Sequence, residues 1–209
     1  MAGVPHDILL LALKESPGLL RELLQRVAGV TLRGPIEVGD SAVKFAVSLE
    51  KYPDLLFTTR APEAFPAAEP SEAASATDAK GPGWIIVEVQ NRKDERKSKS
   101  WHLATSVLLQ KNGMGDVVVI TASRSVARWA TEVAQHRGTL GTVKGLTPVV
   151  LHLSRKVLAL LLDPVVPQLA LFAVWARGRG AGSAAKEVVV RALEVTEALP
   201  GELQEAQTR

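Results

Sequence analysis

Two apolar segments constrain this chain more than any other feature: WIIVEVQ at 84–90 and DVVVITA at 116–122. Both have strand length and are rich in β-branched residues. DVVVITA is continuous in its apolar character, the kind of strand covered on both faces. Between them, ERKSKSWHLATSVLLQKNG reads as a helix with a basic first half and an apolar stripe through Leu103, Val107 and Leu108. SRSVARWATEVAQHRG reads as a second helix, with Ser123 or Ser125 near its cap, and a further strand lies around Leu146 to Leu153. Strand, helix, strand, helix, strand in this order predicts an α/β layer built with crossover connections.

The flanks are less regular. Near the N-terminus, the pattern predicts a short helix over residues 6–14. A second helix follows, with Ser16 as N-cap, Pro17 at its first position and an end near Gly29. Ala42–Leu49 reads as a strand, and KYPDLLFTT resumes strand character after Pro53. Residues 61–83 are mostly Ala, Pro, Ser, Glu and Gly, which form no core, so this segment reads as a flexible insertion. From Arg155 onward the chain looks helical, with breaks at Gly178 to Gly182 and at Pro200. The apolar stretch at 157–176 is interrupted by Asp163, Pro164 and Pro167, so it reads as buried helix rather than a membrane span. It would serve a homodimer as readily as a core. The apolar run near the N-terminus is too short to span a membrane and has no basic leader, so the expected location is the cytoplasm.

Composition removes several chemistries. With no cysteine, a thiol nucleophile, a disulfide framework and a zinc–thiolate site are excluded. His6, His102, His136 and His152 are scattered without ligand spacing, which argues against an imidazole-based transition-metal site. The net charge of +3 permits nucleic-acid binding without arguing for it. TASRSVARW offers hydroxyls with no His or Asp beside them, and RGRGAGS lacks the Gly-Lys-Ser/Thr ending of a phosphate loop.

The interruption in WIIVEVQ carries the functional signal. Side chains alternate along a strand, so Ile86, Glu88 and Gln90 share one face and Ile85, Val87 and Val89 the other. The apolar face is expected to be core. The other presents a carboxylate and an amide at the strand's C-terminal end. Asp54 begins DLLF, and pairing of the two strands across the long loop would bring it to Glu88. An ionised carboxylate in a strand is costly to bury unless paired or metal-bound. Two roles are therefore open to Glu88: an ion pair with Arg92 or Lys93, or, with Asp54 and a backbone carbonyl, a site for a hard divalent cation.

YPDLLF, a long loop, WIIVEVQ, a basic helix and an apolar strand together resemble the PD-(D/E)XK nuclease superfamily. The likeness is closer to its Rpn-like, transposase-associated branch, and covers about residues 1–153. The resemblance implies a restriction-endonuclease-like mixed sheet flanked by helices at 1–153, with residues 154–209 as a helical C-terminal extension. It implies hydrolysis of DNA phosphodiester bonds with Mg²⁺ or Mn²⁺. Asp54 falls on the first metal-binding aspartate, Glu88 on the second acidic ligand, and Gln90, through its backbone carbonyl, on a third ligand position. Gln90 also stands where the catalytic lysine is expected, and it carries no charge. Lys93 or Lys97 would then return an ammonium group, and Glu22 resembles an additional acidic residue of some members.

The run NRKDERKSK adds Arg92, Lys93, Arg96, Lys97 and Lys99 as candidates for phosphate contact. If helical, Arg92, Arg96 and Lys99 share one side and Lys93 and Lys97 another. Trp101 reads as packing rather than a base-stacking platform, and His102 as a helix histidine without an assigned role. Two functions follow: a metal-dependent DNA endonuclease, or an inactive nuclease fold that binds nucleic acid or protein.

Overall fold

The computed structural model describes residues 4–32, 34–39, 53–59, 83–132, 135–137, 143–177 and 182–197. Helix α1 (Val4–Glu15) is followed by α2 (Gly18–Leu23), which runs on into a π-helical turn over Leu24–Ala28. Pro17 takes helical dihedrals and the Ser16 carbonyl accepts from Leu19 N–H at 2.9 Å, so the Ser-Pro start is where the fixed proline φ allows it. The turn ends at Gly29 with φ 68°, a left-handed conformation that glycine takes without a Cβ clash.

The sheet is then built from both ends of the chain's middle. Strand β1 (Ile36–Val38) pairs antiparallel with β2 (Leu55–Thr59), which pairs antiparallel with β3 (Trp84–Val89). β1 is too short and too exposed to carry a strand pattern: Val38 is exposed and Gly34, Pro35 and Gly39 hem it in. The strand expected at 42–49 lies outside the described residues, as does the insertion at 61–83 apart from Gly83. Helix α3 (Glu95–Asn112) carries the chain back, so that β4 (Gly115–Thr121) runs parallel to β3. Helix α4 (Arg124–Glu132) stops earlier than its sequence pattern implied. Residues expected to prolong it instead form β5 (Gln135–Arg137), paired with β6 (Val143–Gly145) in a separate small sheet. Strand β7 (Val149–His152) then joins β4 in parallel, giving the order β1-β2-β3-β4-β7. The C-terminal part supplies α5 (Leu158–Leu161), α6 (Ala170–Arg177) and α7 (Ser183–Thr196).

The result is a mixed sheet between helical layers, with further helices at the C-terminal end. One face carries Leu55, Phe57, Ile85, Val87, Val89 and Ile120 against leucines of α1 and α2 and Leu161, Phe172 and Ala173 of the C-terminal helices. The opposite face carries Leu56, Trp84, Ile86, Val117 and Val119 against α3 and α4. All of β3 is therefore buried, which corrects the expectation that only its wholly apolar face is core. Each large side chain fully buried in this way contributes about 1.5–3 kcal/mol. The buried stripe of α3 is in part the one expected: Leu108 is buried and Val107 half-buried. Leu103 is exposed, while Trp101, Ala104 and Leu108 face the sheet, and Trp101 packs on Trp129 of α4 with ring centroids 5.6 Å apart. The aromatic pair outweighs the leucine because it removes more apolar surface from water. The apolar stretch at 157–176 places Leu158, Leu161, Leu169, Phe172 and Ala173 in the core. No helix among the described residues is long and apolar enough to cross a membrane.

Gly115 sits opposite Trp84 in the parallel register, and a Cβ there would meet both the Trp84 ring and its carbonyl oxygen. Trp84 has little freedom to yield, since its indole N–H donates to Gly113 O at 2.7 Å. Gly115→Ala is expected to lower unfolding free energy by about 2–3 kcal/mol in urea titration, the cost of overpacking a filled site.

Candidate functional site

Strand register builds the site. Leu55 pairs with Val87 across the antiparallel β2–β3 ladder, so one step further along the register Asp54 stands opposite Glu88. Gln90, two residues on, lies just past the end of β3, and its N–H donates to Ile120 O at 2.9 Å. Its side-chain amide donates to Glu88 Oε2 at 3.0 Å, as residues two apart on one strand face permit. Asp54 is held by the neighbouring backbone, with Val89 N–H donating to its Oδ2 at 2.9 Å.

Two helices from opposite sides of the sheet complete the cluster. Lys97 of α3 places Nζ 3.1 Å from Asp54 Oδ1 and 2.7 Å from Glu88 Oε2. Asp94 sets this position: it caps α3 from an extended conformation and accepts from Arg96 N–H at 3.0 Å. Lys97 precedes Trp101 by one turn on the stripe Trp101, Ala104, Leu108, so packing of that stripe turns the lysine inward. From the other side, His6 of α1 places Nε2 3.3 Å from Asp54 Oδ2 and Nδ1 3.2 Å from Asp7 Oδ1. His6 extends the stripe of Leu9 and Leu13 back by one turn in the same way. Reading the histidines by ligand spacing alone overlooks it. The signal is a polar residue in phase with a buried helical stripe.

The cluster's electrostatics follow from burial and neighbours. Burial pushes the Glu88 carboxyl up, the Asp54 charge adds to this, and Lys97 opposes both, leaving it at about 7. Asp54 is also raised by burial, but His6, Lys97 and the Val89 N–H outweigh that and hold it at about 2. Burial lowers the Lys97 ammonium, yet the two carboxylates more than offset it and the net shift is upward. His6 is raised, chiefly by its hydrogen bond to Asp54, against the effect of burial. The arrangement is one carboxyl held low, one held high, and an ammonium shared between them.

The remaining candidates lie elsewhere. Glu22 accepts from Arg26 Nε at 3.0 Å, and Arg26 also reaches Asp163 Oδ2 at 2.6 Å. That ion triad clamps α2 to the segment between α5 and α6 and stands apart from Asp54 and Glu88. Arg92 and Lys93 precede α3 rather than lying on it, so the sidedness expected for a helix through them does not apply. Both are exposed, as are Arg96 and Lys99, and of the two lysines proposed to return a charge to the site it is Lys97 that does so. Trp101 is core. Ser123 is the cap of α4, its Oγ accepting from Val126 N–H at 3.4 Å.

The carboxylates of Asp54 and Glu88 are hard oxygen donors, the type that Mg²⁺ or Mn²⁺ takes, and Lys97 Nζ stands between them. Among the described residues no group of three or more His, Asp or Glu side chains is arranged to hold a metal ion, so the side-chain donors number the carboxylates of Asp54 and Glu88. Comparison with protein-family models, curated proteins and solved structures found no match to this chain.

Glu88 predicts a pH effect. A carboxyl whose folded pKa of about 7 exceeds its ordinary 4.5 binds its proton more tightly folded than unfolded. Its stabilising contribution is complete below 4.5 and is lost as pH rises through about 7. Asp54 acts oppositely, contributing above 3.8 and losing its contribution as pH falls towards about 2. Urea titrations in chelator are expected to show stability declining between pH 4.5 and about 7, with the decline below 6.5 removed in Glu88→Gln and the part above 6.5 shared with His6, whose pKa is also raised. A decline below 6.5 that persists in the variant assigns it to another group.

Proposed function

We propose that this chain is a divalent-metal-dependent endonuclease that hydrolyses DNA phosphodiester bonds on a restriction-endonuclease-like fold. The observation that carries the reading is Lys97, whose ammonium bridges Asp54 and Glu88 from a helix and so supplies the charge that Gln90 lacks. Two strands of an antiparallel pair deliver the carboxylates, and the crossover helix after the second delivers the cation. Asp54 and Glu88, with the Gln90 main-chain carbonyl, would hold the metal. A bound Mg²⁺ lowers the pKa of an attacking water and neutralises charge on the phosphate. Lys97 stands beside the same carboxylates, and in this reading it would donate to a phosphate oxygen as negative charge develops there. Gln90 orients Glu88 through its amide, and the Val89 N–H and His6 orient Asp54.

The second reading, an inactive nuclease fold that binds nucleic acid or protein, is favoured by one specific observation. Lys97 already bonds both carboxylates, so the cluster has a counter-ion of its own without a bound metal.

Cleavage of supercoiled plasmid with Mg²⁺ or Mn²⁺ separates the two. Nicking by the native protein is expected to vanish in Asp54→Ala/Glu88→Ala, with folding checked by circular dichroism. Equal nicking by both proteins assigns the activity to a contaminant, and none from either favours the inactive module. Lys97→Met is expected to cut the nicking rate by about 10²–10³, the usual loss on removing one donor aimed at developing charge. In calorimetry Lys97→Met is expected to bind divalent metal more tightly than the native chain, because the competing ammonium is gone. Metal affinity equal to or weaker than native in the folded variant contradicts the shared-site assignment.

A further inference from the structure

Helix α7 is buried along one face only. Its Ala192 and Val195 pack with Ala170 of α6, and Val188 packs against the main core. The opposite face presents Val189, Val190 and Leu193 at 39%, 55% and 51% exposure. Helical spacing puts these three on adjacent turns, so they form a continuous strip rather than scattered residues. Beside the strip a groove of about 250 Å³ opens between α6 and α7, with Leu171 and Val174 on one side and Val189 and Leu193 on the other. The stretch at 157–176, from which a homodimer was also expected, is largely taken up by the core, whereas α7 keeps its apolar strip outside.

Charge indicates what covers the strip. Lys186, Val190, Leu193 and Glu197 follow one another at intervals of four, three and four residues, the spacing that keeps side chains in line along a helix. All four are exposed. Glu197 keeps helical dihedrals and its N–H donates to Leu193 O at 2.9 Å, so it continues the line. Lys186 and Glu197 stand about 16 Å apart along the axis, too far to meet within one helix. By contrast Arg191 and Glu194, on the flank, are joined at 2.9 Å. Read in reverse, the line is Glu, Leu, Val, Lys. Laid antiparallel on a second copy, Lys186 meets Glu197 at each end and Val190 meets Leu193 in the middle. The strip is thus its own complement under a two-fold axis. A membrane surface would instead be met by cations along the polar flanks of the strip, where α7 carries acidic residues as well.

We infer that two copies of this chain associate through α7, antiparallel about a two-fold axis. The Val190–Leu193 strip is buried at the centre, the α6–α7 groove receives side chains of the second copy, and a Lys186–Glu197 ion pair closes each end. The aliphatic centre supplies the association and the ion pairs select the antiparallel register. This contact needs neither metal nor nucleic acid and is independent of the nuclease reading.

Sedimentation equilibrium of the whole chain tests it, with circular dichroism confirming the fold of each variant. The native chain of 22.3 kDa is expected to show twice that mass at high-micromolar concentration and to dissociate on dilution. Lys186→Glu and Glu197→Lys each set like charges opposite one another at both ends, and each is expected to weaken the dimer by about tenfold or more. Lys186→Glu/Glu197→Lys re-forms both pairs, as does an equimolar mixture of the two single variants, and both are expected to return to native affinity. Val190→Lys is expected to leave a folded monomer. A native chain that stays monomeric throughout the series overturns the inference, and a melting temperature lowered by Val190→Lys in that monomer assigns the strip's cover to the chain itself. A dimer indifferent to the single charge variants places the interface elsewhere and overturns it too, as does one that the double variant fails to restore. A dimer with the expected charge dependence, in a protein that does not nick plasmid, upholds this interface while the nuclease reading fails.

Discussion

Glu88 is a carboxylate at 1% exposure in a strand covered on both faces, and its neighbours are arranged around the cost of that burial. A charge taken out of water there is tolerable only if it is protonated, paired, or both. The protein uses both devices. The Glu88 pKa rises until the proton is exchanged near neutrality, and Lys97 comes in from α3 to share the charge that remains. The lysine in turn fixes how α3 begins. Asp94 must cap the helix three residues earlier, and Trp101, one turn later, must dock on the sheet.

The same requirement explains why the cluster lies at the ends of strands rather than in their middles. At the start of β2 and the end of β3, side chains from both helical layers reach one point, which strand interiors do not allow. His6 arrives from α1 on one side and Lys97 from α3 on the other, and Asp54 receives both. With Val89 N–H as a further donor, Asp54 is strongly ionised while its partner is not. Environments that drive two adjacent carboxyls apart give a site with distinct roles available to each.

Legibility in the sequence followed the range of the interaction. The strands at 84–89 and 115–121 and the helix between them were plain, because apolar runs and caps act over a few residues. Asp54 reaches Glu88 if the two strands pair across the long loop, and the antiparallel register supplies that pairing. The buried face of α3 is legible only in part: Leu108 is core as its spacing implies, but Leu103 fits an apolar stripe as well as Ala104 does, and contact with Trp129 and the sheet decides between them. β1 carried too few residues for a pattern, and α4 ended at Glu132 because the chain beyond it finds strand partners in β6.

The sequence by itself determined that a carboxylate and an amide interrupt a buried strand, that a basic helix follows, and that thiol chemistry is absent. These are statements about residue type and local period, and local physics suffices for them. Only the tertiary structure decided which cation answers the carboxylates, that His6 joins them, and that Glu22 belongs to a clamp with Arg26 and Asp163. Lys93 and Lys97 are both basic residues near the start of one helix. What separates them is the phase of each against a packed face, and that phase exists only once the helix has docked.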